Sequence, residues 1–219
     1  MKVLNLYAGI GGNRKLWTDV DVTAVELDHQ IAAIYQDFFP DDTVIVDDAH
    51  EYLLHHYKEF DFIWSSPPCQ THSRVRYWGF GGGKMLPVYP DMKLYEEILF
   101  LKYYCDGLWV VENVVPFYPF LVIIQGSSPC SPSSIDRHLF WSSFYIPTMT
   151  TKTKKADINR GNVKKWQNFH GLDISKYSIS QRKDKVLRSC VNPELGLHIL
   201  NTALNRINEK QPEQLGLFK

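Results

Sequence analysis

Short apolar runs, each closed by glycine, proline or an acid, recur through the first half of the chain. Lys2–Tyr7, Val22–Glu26, Thr43–Val46, Phe62–Ser65 and Leu108–Val111 have the length and punctuation of strands. Between them lie segments of helical period: about Asn13 to Asp19, Asp28 to Phe38, Ala49 to about Lys58, and Asp91 to Cys105. The last of these carries Leu94, Ile98, Leu101 and Cys105 on one face, and Pro40-Asp41-Asp42 stops the second. This alternation of strand and helix predicts an α/β fold with a mostly parallel, doubly wound sheet.

The second half is less regular. Residues 115 to 135 show no clear period, and Asp136–Trp141 returns to strand-like sequence. Gln181–Ser189 reads as helix, and Asn192-Pro193-Glu194 opens a last one, with Asn as cap and Pro at the first helical position. With no internal repeat and no linker, residues 1–219 are expected to form one domain.

The strand ends carry the candidate chemistry. The first runs into Ala8-Gly9-Ile10-Gly11-Gly12, a turn whose glycines admit a ligand to the backbone. The second ends in Glu26, roughly 15 residues on, near the spacing at which an acid meets ribose hydroxyls in nucleoside-binding α/β folds. The third ends in Asp47-Asp48. Gly, Glu and Asp on one sheet edge suggest a bound adenosine, with Asp48 or Asp47 near the base. The fourth strand meets Pro67-Pro68, which cannot extend a sheet ladder, and then Cys69, a candidate nucleophile. A lone cysteine is more often a small core residue. The glycine turn upstream and Glu112-Asn113 at the fifth strand end favour the catalytic reading here. About 25 residues rich in Gly, Pro and Arg follow Cys69, as in a lid or binding loop.

Composition narrows the setting. Apolar content of 44% and charged content of 22% are globular values. No apolar stretch reaches membrane-span length, and the N-terminal apolar run is too short for a signal peptide. The four cysteines are far apart, without CxxC or a histidine at ligand spacing. That argues against zinc and against a disulfide framework and for a reducing cytosol; no metal is expected. The net charge of zero conceals eleven Lys or Arg against three acids between Thr151 and Arg188. A basic lobe on an acidic body suits a nucleic-acid surface, although charge alone leaves a solvated lysine loop equally open. Trp166, Phe169 and Tyr177 lie among these lysines and would face the nucleic acid with them.

Leu6-Tyr7-Ala8-Gly9-Ile10-Gly11-Gly12, Val25-Glu26-Leu27-Asp28, Pro67-Pro68-Cys69-Gln70 and Glu112-Asn113-Val114 follow one another as in the cytosine-5 DNA methyltransferases, which the chain resembles over about its first 115 residues. More loosely, Arg137-His138 resembles that family's Gln-x-Arg-x-Arg element and Asn192-Pro193-Glu194-Leu195-Gly196 its terminal element. The resemblance implies a Rossmann-like S-adenosylmethionine-dependent methyltransferase fold. Tyr7, Ala8, Gly9, Ile10, Gly11, Gly12, Glu26, Leu27, Asp48, Ala49, Pro67 and Asn192 would hold the cofactor. It further implies a flipped-out cytosine attacked at C6 by Cys69. Glu112 would bond N3 and the exocyclic amine, and Asn113 would orient the proline loop. Arg137 or His138 would contact O2, the register between them being open.

Gln70, Ser73, Arg74, Lys152, Lys154 and Lys155 would meet the nucleic acid. Family members usually carry a large target-recognition domain, whereas only 142–180, about 40 residues, is available here. The recognised site should therefore be short, or be supplied by a partner subunit; a paired restriction enzyme is a further candidate associate. The implied setting is the cytoplasm of a bacterial, archaeal or phage-infected cell. Methylation of tRNA and a silent nucleic-acid-binding subunit stand as alternatives, the latter opposed by the intact Cys69, Gln70, Glu112 and Asn113.

Overall fold

In the computed structural model, which describes residues 1–73, 88–115, 133–135, 138–150, 158 and 161–205, the strands are β1 (Lys2–Leu6), β2 (Asp21–Val25), β3 (Thr43–Ile45), β4 (Phe62–Ser65), β5 (Leu108–Val114), β6 (Ser133–Ile135) and β7 (His138–Ser142). They form a single sheet in the order β3-β2-β1-β4-β5-β7-β6. The first five strands of that order pair in parallel, and β7 runs antiparallel to both β5 and β6. All four residues of β4 are buried, as a central parallel strand covered on both faces requires. Phe62 and Trp64 face one way, Ile63 the other, so one strand feeds two core layers.

Helices α1 (His29–Phe38), α2 (Ala49–His56), α3 (Lys93–Tyr104), α4 (Val163–His170), α5 (Lys183–Ser189) and α6 (Pro193–Ala203) supply those layers. Leu53 of α2 and Leu94, Ile98 and Leu101 of α3 pack with Leu4, Leu6, Ile63 and Val111 on one face. On the opposite face Leu195, Ile199 and Leu200 of α6 pack with Val3, Phe62, Trp64 and Val110. Tyr35 of α1 covers Ala24 of β2. The predicted α/β fold with a mostly parallel, doubly wound sheet is the one observed.

Two expectations are corrected. The helix predicted from Asn13 to Asp19 is a single 3₁₀ turn, Arg14–Leu16. Trp17 is extended and Asp19 is left-handed at φ +59°, so the chain leaves the helical path after one turn. Cover at that position comes instead from α6, whose Gly196 lies so close to the Asn13 backbone that a Cβ would approach its carbonyl oxygen to 2.2 Å. The second correction concerns the aromatics of the basic segment. Trp166 is buried, and with half-buried Phe169 and Tyr177 it packs against Ile10, Ile31 and Ile34. These rings are core for α4 and α5, not stacking platforms for nucleic acid. Helix α4, capped by Asn162 and closed by left-handed Gly171, is an element the sequence pattern does not predict.

Candidate functional site

The strand order reverses direction between β1 and β4, and open α/β sheets place their ligands in the crevice that opens at such a point. The loop after β1 begins at Tyr7 and the loop after β4 at Ser66, so the glycine turn and the Pro67-Pro68-Cys69 segment flank one crevice.

On the β1 side, Gly9 has φ +56° and a Cβ there would meet nothing within 4 Å, so the turn exposes backbone to open space. Gly12 is small for another reason. A Cβ would sit 2.6 Å from that of Cys190 and 2.8 Å from the carbonyl oxygen of Val191, so the turn is held from behind by the segment entering α6. Glu26 accepts from the Gly9 amide at 2.9 Å and from the Asp28 amide at 3.0 Å. Burial raises the carboxyl's pKa, and those two amides pull it back. Leu27 and Val46, just past the ends of neighbouring strands β2 and β3, have 69% and 56% of their surfaces exposed, two apolar side chains open to solvent near the acid. An open glycine turn, a half-buried carboxylate and two exposed apolar side chains fit an adenosine moiety.

Asp48 is engaged differently from the sequence expectation. Its Oδ1 caps α2, accepting from the amides of His50 and Glu51, and its Oδ2 pairs with Lys93 Nζ at 2.9 Å. That lysine and the capped amides hold the carboxyl below its usual range. Neighbouring Asp47 is exposed, and Ala49 is buried in the core.

On the β4 side, Pro67 is buried, Pro68 and Gln70 are exposed, and Cys69 is half-buried. The Cys69 carbonyl accepts from the amides of His72 and Ser73, so the chain doubles back immediately after the cysteine. Asn113, fully buried in β5, donates from Nδ2 to the Pro67 carbonyl at 2.9 Å, and its Oδ1 accepts from the Val114 amide. Glu112, also buried, accepts from His138 Nδ1 on β7. The antiparallel pairing of Val114 with His138 and of Glu112 with Phe140 brings these two side chains together. Thus Pro67, Glu112, Asn113 and His138 converge on the same edge as Cys69. Asn192, directly after the segment packed on Gly12, caps α6 by accepting from the Glu194 amide. Arg74, Arg137, Lys152, Lys154, Lys155 and the loop predicted after Ser73 lie outside the described residues, in whole or for the most part.

Residues 1–84 match the family model for C-5 cytosine-specific DNA methylases. The match takes in the glycine turn, Glu26, Asp48 and Cys69. No curated protein sequence matches the chain. Among solved structures, the Entamoeba histolytica methyltransferase EhMeth aligns over 95% of this chain and 99% of its own at 12% identity and TM-score 0.51, a likeness of fold. A mutant Spodoptera frugiperda DNMT2 aligns over 52% of this chain and 35% of its own, with 27% identity and TM-score 0.38. An Escherichia coli prophage protein described as a putative DNA modification methyltransferase aligns over 65% and 45%, with 18% identity and TM-score 0.42. The chain thus spans about a third of the length of the DNMT2 chain.

One residue beneath this crevice is not among the sequence candidates. Glu97 of α3 is fully buried and accepts from Tyr7 Oη, Ser65 Oγ and His50 Nδ1. It lies three residues after Leu94 and one before Ile98, on the apolar stripe itself. An acid on that stripe is the signal that could have found it. Among the described residues no cluster of His, Cys, Asp or Glu could hold a metal, and no helix is long and apolar enough to cross a membrane.

Proposed function

We propose that the chain is a DNA cytosine-5 methyltransferase that uses S-adenosylmethionine and a covalent Cys69 adduct. The observation that carries this reading is the hydrogen bond from Asn113 to the Pro67 carbonyl. It fastens the strand that bears Glu112 to the loop that bears Cys69, the carboxyl and the thiol that C6 addition needs.

The glycine turn, Glu26 and Leu27 would hold the cofactor, with Glu26 accepting from the ribose hydroxyls. When bound, S-adenosylmethionine supplies an electrophilic methyl on a sulfonium. The target cytosine leaves the stack, because its C6 is inaccessible within a duplex. Cys69 adds as thiolate to C6, and negative charge develops across N3 and C5. Glu112, as the carboxylic acid, gives its proton to N3 and accepts from the exocyclic amine, neutralising that charge, while His138 holds the carboxyl in place. With the methyl on C5, removal of the C5 proton by a base or water would restore the ring and expel Cys69 as thiolate.

Incubating the protein with labelled cofactor and, separately, duplex DNA, single-stranded DNA and tRNA tests the assignment. Label in duplex DNA, located at C5 by bisulfite sequencing, is the expected result; label in tRNA alone would move the substrate to RNA.

Glu26→Ala should weaken S-adenosylmethionine binding by roughly 1–3 kcal/mol, the scale of losing a charged acceptor. Calorimetry showing unchanged affinity would reject its cofactor role. Replacing Lys152, Lys154 and Lys155 together by Ala should flatten the salt dependence of DNA binding, by about 0.9 in log–log slope for each phosphate left un-neutralised. Specific and non-specific DNA should weaken alike, since lysine clusters read phosphate. A salt titration giving equal slopes would return this segment to a solvated loop.

A further inference from the structure

We propose that Glu97 is a positioning residue that locks the cofactor turn to the strand bearing the nucleophile. The inference rests on the cofactor and Cys69 assignments above.

A carboxylate with no solvent exposure is costly unless its lone pairs are satisfied, and apolar residues would fill the same space more cheaply. Glu97 is satisfied by three donors from three different elements. Oε1 accepts from Tyr7 Oη at 2.6 Å and from His50 Nδ1 at 3.1 Å, and Oε2 accepts from Ser65 Oγ at 2.5 Å. Tyr7 is the residue that leaves β1 for the glycine turn, with a left-handed φ of +54°. Ser65 is the last residue of β4, four before Cys69. His50 belongs to the first turn of α2, two residues after Asp48. The hydrogen bond from His50 to Glu97 raises the imidazole pKa, consistent with a proton held on Nδ1.

The rest of α3 repeats the pattern. Lys93, one turn earlier, pairs with Asp48. Asp91, just ahead of the helix, donates its amide to Thr71 Oγ1 and accepts from His72 Nε2 on its carbonyl, at 2.9 and 2.8 Å. Helix α3 and the residues leading into it therefore touch Tyr7 after β1, Asp48 after β3, Ser65 at the end of β4 and the segment after Cys69. Glu97 is the member buried beneath all of them, where a shift at one loop is felt at the others.

Three variants test this: Glu97→Gln, which keeps the shape but turns an amide N–H toward one of the donors, and the milder Tyr7→Phe and Ser65→Ala. The readouts are S-adenosylmethionine affinity by calorimetry, the rate of adduct formation with 5-fluorocytosine DNA at saturating cofactor, and thermal unfolding. Glu97→Gln should weaken cofactor binding and slow adduct formation, each by about tenfold. Ser65→Ala, on the strand carrying the nucleophile, should weaken cofactor binding, and Tyr7→Phe should slow adduct formation. Their combination should be non-additive. Should Glu97→Gln not fold, the Tyr7–Ser65 pair decides alone. Variants that melt earlier yet bind cofactor and form adduct like wild type, with additive effects, would make Glu97 a structural carboxylate and overturn the proposal. A wild type that traps 5-fluorocytosine but shows no such coupling defeats this inference alone. One that neither binds cofactor nor traps removes the functional reading, and this inference with it.

Discussion

Cys69→Ser should give a protein that folds and binds S-adenosylmethionine but forms no trapped complex with 5-fluorocytosine DNA. Fluorine at C5 blocks the proton loss that normally releases the enzyme, so a true nucleophile stays bonded to C6. Serine is nearly isosteric at this half-buried position, and the turn behind it is made by backbone bonds from His72 and Ser73 to the residue 69 carbonyl. Geometry should therefore survive. A serine hydroxyl is un-ionised near neutral pH and has no thiolate character, so turnover should fall by about 10³-fold or more. A denaturing gel reads the adduct directly, and an undiminished band from the serine variant would assign the nucleophile elsewhere.

Glu112→Gln should cost about 10²–10³-fold in single-turnover methyl transfer with little change in cofactor affinity. The carboxylate accepts from His138 Nδ1 and is held on β5 beside Asn113. Glutamine keeps the size and can still hydrogen-bond the base, but it has no acidic proton to give N3, so the negative charge that builds on the ring when C6 is attacked is not neutralised. Because the lesion lies in the addition step, slower formation of the 5-fluorocytosine adduct at saturating DNA is its signature. Full-rate adduct formation by this variant would remove Glu112 from the chemistry.

The parallel half of the fold is legible because its strands announce themselves. Phe62–Ser65 is a short apolar run against two prolines, and it is strand from end to end. Asp28, an acid before an apolar period, caps α1 as that pattern requires. The 13–19 segment misleads because its cover is non-local: α6 packs where a local helix is expected, and no window of adjacent residues carries that information. Trp166, Phe169 and Tyr177 mislead through their neighbours. Lysines around an aromatic look like a nucleic-acid surface, yet the rings bury against α1 while lysines such as Lys164 and Lys165 stay on the rim. Of the candidate site, Tyr7, Glu26, Cys69 and Glu112 are readable because each lies within or within a few residues of a short apolar run. The bond from Asn113 to Pro67, the contact of His138 with Glu112 and the burial of Glu97 depend on strand order and register, which single-chain periodicity does not specify.

The packing of Cys190, Val191 and Gly196 onto Gly12 and Asn13 also constrains the order in which the molecule is made. A ribosome releases the glycine turn some 180 residues before its supporting wall. Until then the turn has no support on that side, and contacts of such long sequence separation are slow to close. The sheet can begin to pair during synthesis while the crevice beside β1 stays unfinished. On the proposed function, cofactor loading is thereby deferred until the segment from Cys190 to Gly196 has been made and packed onto the turn.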